Sequence, residues 1–204
     1  MRVIALATVL LLAGGCVGDL ERSAPEPSVY VLTPPVAATG PGLAANLLVL
    51  RPAAAPALRT DRIATRLAGN RMDYYAGARW GGELGSVAQS ALVQSIRSTG
   101  RFRTVEAEPG QFRATHLLGV EISRLEADYS AGAMPVARVT LTATVARFQD
   151  RRTLASWTET VEEAAAANTL TAVTAALDRA FGSAAAGVVT RTGEAVAADL
   201  AGQP

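Results

Sequence analysis

The residue types that most often perform catalysis are scarce in this chain of 204 residues. It contains one histidine, His116, and one cysteine, Cys16. A single cysteine excludes a disulfide framework and a cysteine-rich zinc site, and a single histidine argues against a metal centre built from histidines. His116 opens an apolar segment, which favours a packed side chain over a general base. No serine lies in the Gly-x-Ser-x-Gly turn that presents a nucleophile.

Paired carboxylates are a second chemistry to consider. Asp61 and Asp73 flank a predicted hairpin, where two carboxylates could act as acid and base. Solvation, or pairing with nearby arginines, is the commoner outcome at such positions. The Gly-Pro-Gly segment at 40–42 imitates a dinucleotide loop, but it precedes a strand instead of opening a helix. We therefore predict that the protein is not an enzyme and that it holds no cofactor and no metal.

The charge balance limits the class of partner. Nineteen basic residues, all of them arginine, face 18 acidic residues. A nucleic-acid binder would usually carry a clustered excess of positive charge. We therefore expect a protein that does not bind nucleic acid.

Cys16 has a chemistry of its own. Arg2 is followed by an apolar run over residues 3–13, which is shorter than the ~20 residues needed to span a bilayer but suits a signal peptide. Small residues directly precede Cys16, and this arrangement resembles the lipobox of bacterial lipoproteins, in which the thiol is acylated and the chain is cut before it. We predict a signal peptide over 1–15, then a lipidated Cys16 and a flexible tether over 16–27.

Two alternatives concern this anchor. The first is a plain secretory signal that leaves Cys16 as a free thiol. The second concerns the membrane: in enteric-type bacteria an aspartate directly after the cysteine retains a lipoprotein at the inner membrane. Val17 occupies that place. We therefore predict an outer-membrane lipoprotein that faces the periplasm, with the inner membrane as the alternative.

Residues 28–200 are predicted to form one domain. A continuous apolar run at 47–50 predicts a buried strand, and Gly69 and Asn70 predict the turn of a hairpin. An apolar stripe over 84–96 predicts a helix, and a longer one starts at Thr169. The apolar phase of the strand over 116–129 changes near Ser123, which predicts a β-bulge.

Strict alternation over 136–148 predicts a strand with two different faces. The apolar side chains face one way, and Arg138, Thr140, Thr142 and Thr144 face the other. We expect neither helix to cover this polar row. The order of elements predicts an α+β fold: a single domain with a twisted, mainly antiparallel sheet and two main helices packed on one face.

A set of short motifs, in order along the chain, resembles the ABC-type transport auxiliary lipoprotein family. The motifs are YVLTP at 30–34, LRTDRI at 58–63, YYAGARW at 74–80, GRFRTV at 100–105, PVARVTL at 135–141, and the segments 121–129 and 175–180, the latter with Asp178. The resemblance implies an auxiliary, non-catalytic lipoprotein that acts with a mammalian-cell-entry (MCE) domain protein and an ABC permease and ATPase. The implied role is transport of lipid, or tolerance of organic solvents, between two membranes; self-association is left open.

One motif could form a partner interface: Tyr74, Tyr75, Arg79 and Trp80 are of the residue types enriched in binding hot spots. The structural alternative is that the aromatic side chains close the core over the start of the first helix, while Arg79 bonds loop carbonyls. The competing function is an envelope structural or assembly lipoprotein that tethers a partner at the outer membrane without any role in transport.

Overall fold

The computed structural model describes residues 26–110 and 112–202. The predicted signal peptide, Cys16 and most of the tether lie outside the described residues. The elements, in chain order, are β1 (Ser28–Tyr30), β2 (Leu43–Val49), β3 (Ala53–Ala54), a 3₁₀ turn (Pro56–Leu58), β4 (Arg62–Leu67), β5 (Arg71–Trp80), α1 (Leu84–Ser98), β6 (Phe102–Glu106), β7 (His116–Asp128), β8 (Val136–Arg147), β9 (Thr153–Ala164) and α2 (Leu170–Ala201).

The sheet is organised around β7. One edge of β7 pairs antiparallel with β8, and β8 pairs antiparallel with β9. Along its other edge β2, β3 and β4 pair in parallel with residues 116–118, 121–122 and 126–128. β6 extends the sheet from β2, whereas β5 and then β1 extend it from β4. The predicted α+β class is confirmed. The longest ladders are antiparallel, but five of the eight strand pairs among the described residues are parallel, and these were not predicted.

The turn and bulge signals in the sequence are confirmed. Gly69 and Asn70 adopt φ of 71° and 59°, the left-handed conformation that a tight hairpin turn between β4 and β5 requires. The register of β7 against β8 shifts between Ile122 and Arg124. This bulge lets Ile122 and Leu125 both face the core, although they are an odd number of residues apart.

Both helices pack on one face of the sheet. α2 contacts β7, β8 and β9, and it also contacts α1. The Thr169 hydroxyl accepts a hydrogen bond from the backbone N–H of Ala172, which caps the start of α2. Leu177 and Phe181 of α2 are completely buried in one cluster with alternate residues of β8.

Two polar side chains from outside α2 lie where this helix has glycines. A Cβ at Gly187 would approach the carboxylate carbon of Glu159 to 2.7 Å, and a Cβ at Gly193 would overlap the guanidinium of Arg101. Gly187 and Gly193 therefore make room for two charged groups beneath the helix, which explains two residues of low helix propensity in it.

Candidate interaction site

The motif at 74–80 lies on β5, and a bulge divides it. Arg62 of β4 pairs with Arg79, but Ala64, two residues on, pairs with Tyr74. The extra residues of β5 include Gly77, whose φ of 67° is unfavourable for other residues. Strand alternation puts adjacent residues on opposite faces, so the four aromatic and basic residues of the motif do not form a single surface. The bulge lets Tyr74 and Arg79 face the same side although they are an odd number of residues apart.

Trp80 is buried and Tyr75 is half-buried against the core. Trp80 is 2% exposed and belongs to the hydrophobic core. The Tyr75 hydroxyl lies 2.5 Å from the Tyr129 hydroxyl, which donates in turn to the side-chain oxygen of Asn168. Burial, together with the hydrogen bond to Tyr129, raises the pKa of Tyr75 above its usual range. These contacts agree with the structural alternative for both residues.

Tyr74 and Arg79 are accessible from outside. The Tyr74 hydroxyl donates to the carbonyl oxygen of Ala57 at 2.8 Å, and the Arg62 guanidinium lies 4.2 Å from the centre of the Tyr74 ring. The side chain of Arg79 is 50% exposed and lies 4.0 Å from the Asp61 carboxylate. Of the four predicted residues the structure thus exposes Arg79, and it leaves Tyr74 half-buried with its ring against Arg62.

The outer face of β7 carries an ionic network that the sequence analysis missed. Glu126 is completely buried, yet its carboxylate accepts hydrogen bonds from Arg66 at 2.7 Å and from Arg124 at 2.8 Å. Asp128 lies beside it, 2.8 Å from Arg138. The signal was available: after the bulge, residues 124, 126 and 128 alternate with core residues, so they share the face opposite the helices.

The charges in this network stabilise one another. The hydrogen bond to Glu126 raises the pKa of Arg66. Burial acts to raise the pKa of Asp128, but hydrogen bonds from Ser130 and the nearby guanidinium groups of Arg138 and Arg124 hold that pKa below its usual range. The network is therefore a structural element that fixes β4, β7 and β8 relative to one another.

The rest of the outer face of β8 and β9 is uncharged and bears hydroxyl groups. Thr142 pairs with Thr158, and their hydroxyl oxygens are 3.0 Å apart; Thr144 and Ser156 form an equivalent pair. Opposite them, Leu141 and the other apolar residues of β8 pack against α2. The prediction that neither helix covers the polar row of β8 is confirmed. The hydroxyl face consists of Thr140, Thr142, Thr144, Ser156, Thr158 and Thr160.

His116, the candidate general base, is buried and hydrogen-bonded to neighbouring side chains. His116 is 1% exposed; its Nδ1 lies 2.9 Å from the Thr115 hydroxyl and its Nε2 lies 3.2 Å from the Asp199 carboxylate. That carboxylate also accepts from Arg147 at 2.5 Å. A cleft of about 750 Å³ opens beside this cluster. Because both ring nitrogens have partners, His116 is placed as a packed residue, as the sequence predicts.

The two candidate carboxylates are not brought together. Asp73 is opposite Thr65 in the hairpin, whereas the backbone of Asp61 bonds to Trp80 at the other end of β5. Within residues 26–110 and 112–202, no three His, Cys, Asp or Glu side chains are grouped so that they could hold a metal ion. None of the described helices has the length and apolar character needed to cross a bilayer.

Comparison with known proteins supplies the remaining evidence. The family model for the ABC-type transport auxiliary lipoprotein component matches residues 30–189. A protein of Xanthomonas campestris from the DUF330 family has a solved structure that is 26% identical, with a TM-score of 0.79 over 85% of this chain and 99% of that one. An uncharacterized protein with 13% identity and a TM-score of 0.64, over 81% of this chain and 98% of that one, shares the fold. No curated protein matches the chain.

The match of the family model extends from the last residue of β1 through the first two thirds or so of α2, so it includes β2 to β9 and α1 completely. The segments that carry the sequence resemblance meet in the structure: the Thr33 N–H and hydroxyl donate to the Asp178 carboxylate at 2.7 and 2.9 Å. This chain therefore belongs to the ABC-type transport auxiliary lipoprotein family.

Proposed function

We propose that this protein is a non-enzymatic, lipid-anchored auxiliary component of an ABC transport system of the MCE type, which moves lipid between the two membranes or confers tolerance of organic solvents. The observation that best supports this proposal is the match of the auxiliary lipoprotein family to residues 30–189. A lipoprotein family indicates association with the cell envelope, and an auxiliary component suggests a role without catalysis. The energy for transport would come from the separate ATPase.

The anchor in this proposal is Cys16, which would be acylated after removal of residues 1–15. Two or more acyl chains hold a protein stably at a membrane, whereas one chain gives marginal binding. Cys16→Ala should abolish labelling by radioactive fatty acid and leave an unprocessed or soluble species. A Cys16→Ala protein that still incorporates fatty acid would contradict the anchor.

The membrane is proposed to be the outer one, because Val17 follows Cys16. Val17→Asp should move the lipoprotein to the inner-membrane fraction of a sucrose gradient without changing its acylation. If the unchanged protein already fractionates with the inner membrane, the proposed location is wrong.

The partner is proposed to be the periplasmic part of an MCE-domain protein, and we assign its contact to the hydroxyl face of β8 and β9. This face is uncovered by the helices and its side chains on β8 and β9 are hydroxyl groups, which can exchange hydrogen bonds with a partner; Glu121 and Arg124 of β7 pair with Thr142 and Thr140 at its margin. Tyr74 and Arg79 form a second candidate surface at the other end of the sheet.

The hydroxyl face can be tested by adding one charge. Thr158 is exposed on this face, and Gln94 is exposed on α1 in the opposite layer. Thr158→Arg should weaken binding to the MCE protein at least tenfold, whereas the matched control Gln94→Arg should leave binding unchanged. Equal binding by both variants would place the partner elsewhere.

The competing function, a lipoprotein that tethers an envelope partner without transport, makes a different genetic prediction. If the transport proposal holds, deletion of the gene for this protein and deletion of the MCE gene should give the same defect in envelope permeability. The unmodified lipoprotein should also bind the MCE protein in membranes. Failure of both tests would favour the tethering function.

A further inference from the structure

We propose that the protein has a second membrane contact besides its acyl chains: the outer face of β1, β5 and β4 lies against the headgroups of an anionic bilayer. We call this surface the tether-end patch. This proposal rests on the proposed acylation of Cys16. The patch consists of Val29, Val31, Arg62, Tyr74 and Arg79.

The strand register places these residues on one surface. Val29 of β1 pairs with Arg79 of β5, and Arg79 pairs with Arg62 of β4. Directly paired residues of neighbouring strands share a face of the sheet, so the three side chains form a row. A Cβ at Gly81 would lie 3.5 Å from Val31 Cγ1 and 3.7 Å from Val29 Cγ1. The side chains of the two valines therefore lie next to each other, beside the arginines.

The exposure of the valines distinguishes this surface from the rest of the sheet. Val29 is 55% exposed and Val31 is 67% exposed. Tyr30, between them, packs against the core, so the two valines point outward as a consequence of strand alternation. Val29 in β1 and Val31 directly after it therefore give this edge of the sheet a small exposed apolar surface.

The charge and aromatic content fit a lipid headgroup layer. Arg62 and Arg79 supply two guanidinium groups, and Asp61 supplies one carboxylate 4.0 Å from Arg79. Tyr74 lies under Arg62. Arginines attract anionic phospholipids, tyrosine is enriched at the membrane–water interface, and valine side chains can enter its apolar edge.

The position of the tether favours a bilayer over a protein as the occupant. Ser28 begins β1, and Cys16 precedes it by twelve residues, which reach at most ~40 Å when fully extended. Of the strands in the sheet, β1 is the one that the tether joins directly, so an acyl anchor at Cys16 would keep the patch within that distance of lipid. Binding that follows such tethering is intramolecular, so a small patch suffices for contact.

The test uses the full lipoprotein reconstituted into phosphatidylcholine vesicles with and without phosphatidylglycerol. Cys16 is the one cysteine of the chain and would be acylated, so Val31→Cys provides the single thiol for an environment-sensitive fluorophore. Val36→Cys is the matched control. Val36 is 95% exposed and follows Pro35, whose carbonyl oxygen accepts a hydrogen bond from Ser95 of α1 on the helical side.

The label at position 31 should shift to shorter wavelength and be quenched severalfold by brominated lipid in anionic vesicles, whereas the label at position 36 should not. Adding Arg62→Gln and Arg79→Gln to Val31→Cys should remove most of the quenching, with an unchanged melting curve. Equal quenching at both positions, no quenching at either, or quenching indifferent to the arginines would overturn the proposal.

The same samples distinguish a protein occupant from lipid, and a missing anchor from a missing contact. Shielding of the label at position 31 that appears upon addition of the MCE protein and not with lipid would identify a protein occupant and overturn the bilayer contact. The mass of the intact lipoprotein reports acylation independently. A non-acylated Cys16 would overturn the anchor and this contact together, whereas an acylated chain without quenching would overturn the contact alone.

Discussion

The two faces of the β8 strand show how this sheet separates stability from interaction. Val139, Leu141 and Ala143 on the inner face are completely buried under α2. Thr140 and Thr142, on the same strand, are half-exposed on the outer face and bond or pair with residues of β9. Alternate residues of one strand therefore have different tasks, and a substitution on the outer face can change an interaction without removing core packing.

The largest expected difference is between two neighbouring residues of β5, Trp80 and Arg79. Trp80→Ala should lower the free energy of unfolding by about 3–5 kcal/mol, because it removes a buried indole and leaves a cavity. Arg79→Ala, at an exposed position, should change it by less than about 0.5 kcal/mol. Urea denaturation measures both. Similar losses for the two variants would contradict the division between the faces.

The ionic network is the place where the outer face does contribute to stability. Glu126→Ala should cost about 2–3 kcal/mol, below the value for a fully buried pair, because Arg66 and Arg124 are 31% and 32% exposed and Arg124 keeps Asp128 as a partner. The control is Glu162→Ala: Glu162 pairs with Arg138 but is 48% exposed, and its loss should cost less than about 1 kcal/mol. Equal urea midpoints for the two variants would refute the assignment.

Two glycines of α2 test how tightly the helix packs on the inner face of the sheet. Gly182 has open space around it, so Gly182→Ala should raise the free energy of unfolding by about 0.5–1 kcal/mol through helix propensity. Gly193→Ala should instead lower it by about 1–2 kcal/mol, because the new methyl group would displace the Arg101 guanidinium. Thermal melts of both variants test this, and stabilisation by Gly193→Ala would show that Arg101 moves freely.

The smallest expected effect concerns how the stability of the protein depends on pH. The pKa of Asp128 is lowered in the folded protein, so its charge contributes stability above the ordinary aspartate pKa of ~3.9, and this contribution is lost as pH falls through the folded value. Asp128→Asn should therefore be less stable near neutral pH and lose less stability upon acidification. An identical acid dependence of the two proteins, followed by circular dichroism, would contradict the lowered pKa.

Local signals predicted much of this fold. The apolar stripe over 84–96 predicted α1, which extends to Ser98 in the structure. Thr169 was predicted to start the second helix, and it caps α2. The phase change near Ser123 located the bulge in β7. These features depend on side-chain periodicity and on turn conformations of neighbouring residues, so a single sequence contains them.

The candidate site was less accessible to such reasoning. The residues at 74–80 look like one aromatic and basic surface in the sequence, but Trp80 lies in the core, and the bulge at Gly77 puts Tyr74 and Arg79 on the same outer face although they are an odd number of residues apart. The network around Glu126 combines side chains from three strands. Neither result follows from spacing, because both depend on which strands become neighbours.

The sequence by itself determined the elements, the polar row of β8, the packed state of His116 and the resemblance that the family match confirms. The tertiary structure decided that β2, β3 and β4 share one edge of β7, and it brought Val29, Arg79 and Arg62 into one row. The physical reason is that periodicity is set by bonded neighbours. Strand pairing instead depends on burying complementary faces from distant segments, whose closure costs chain entropy that no local pattern records.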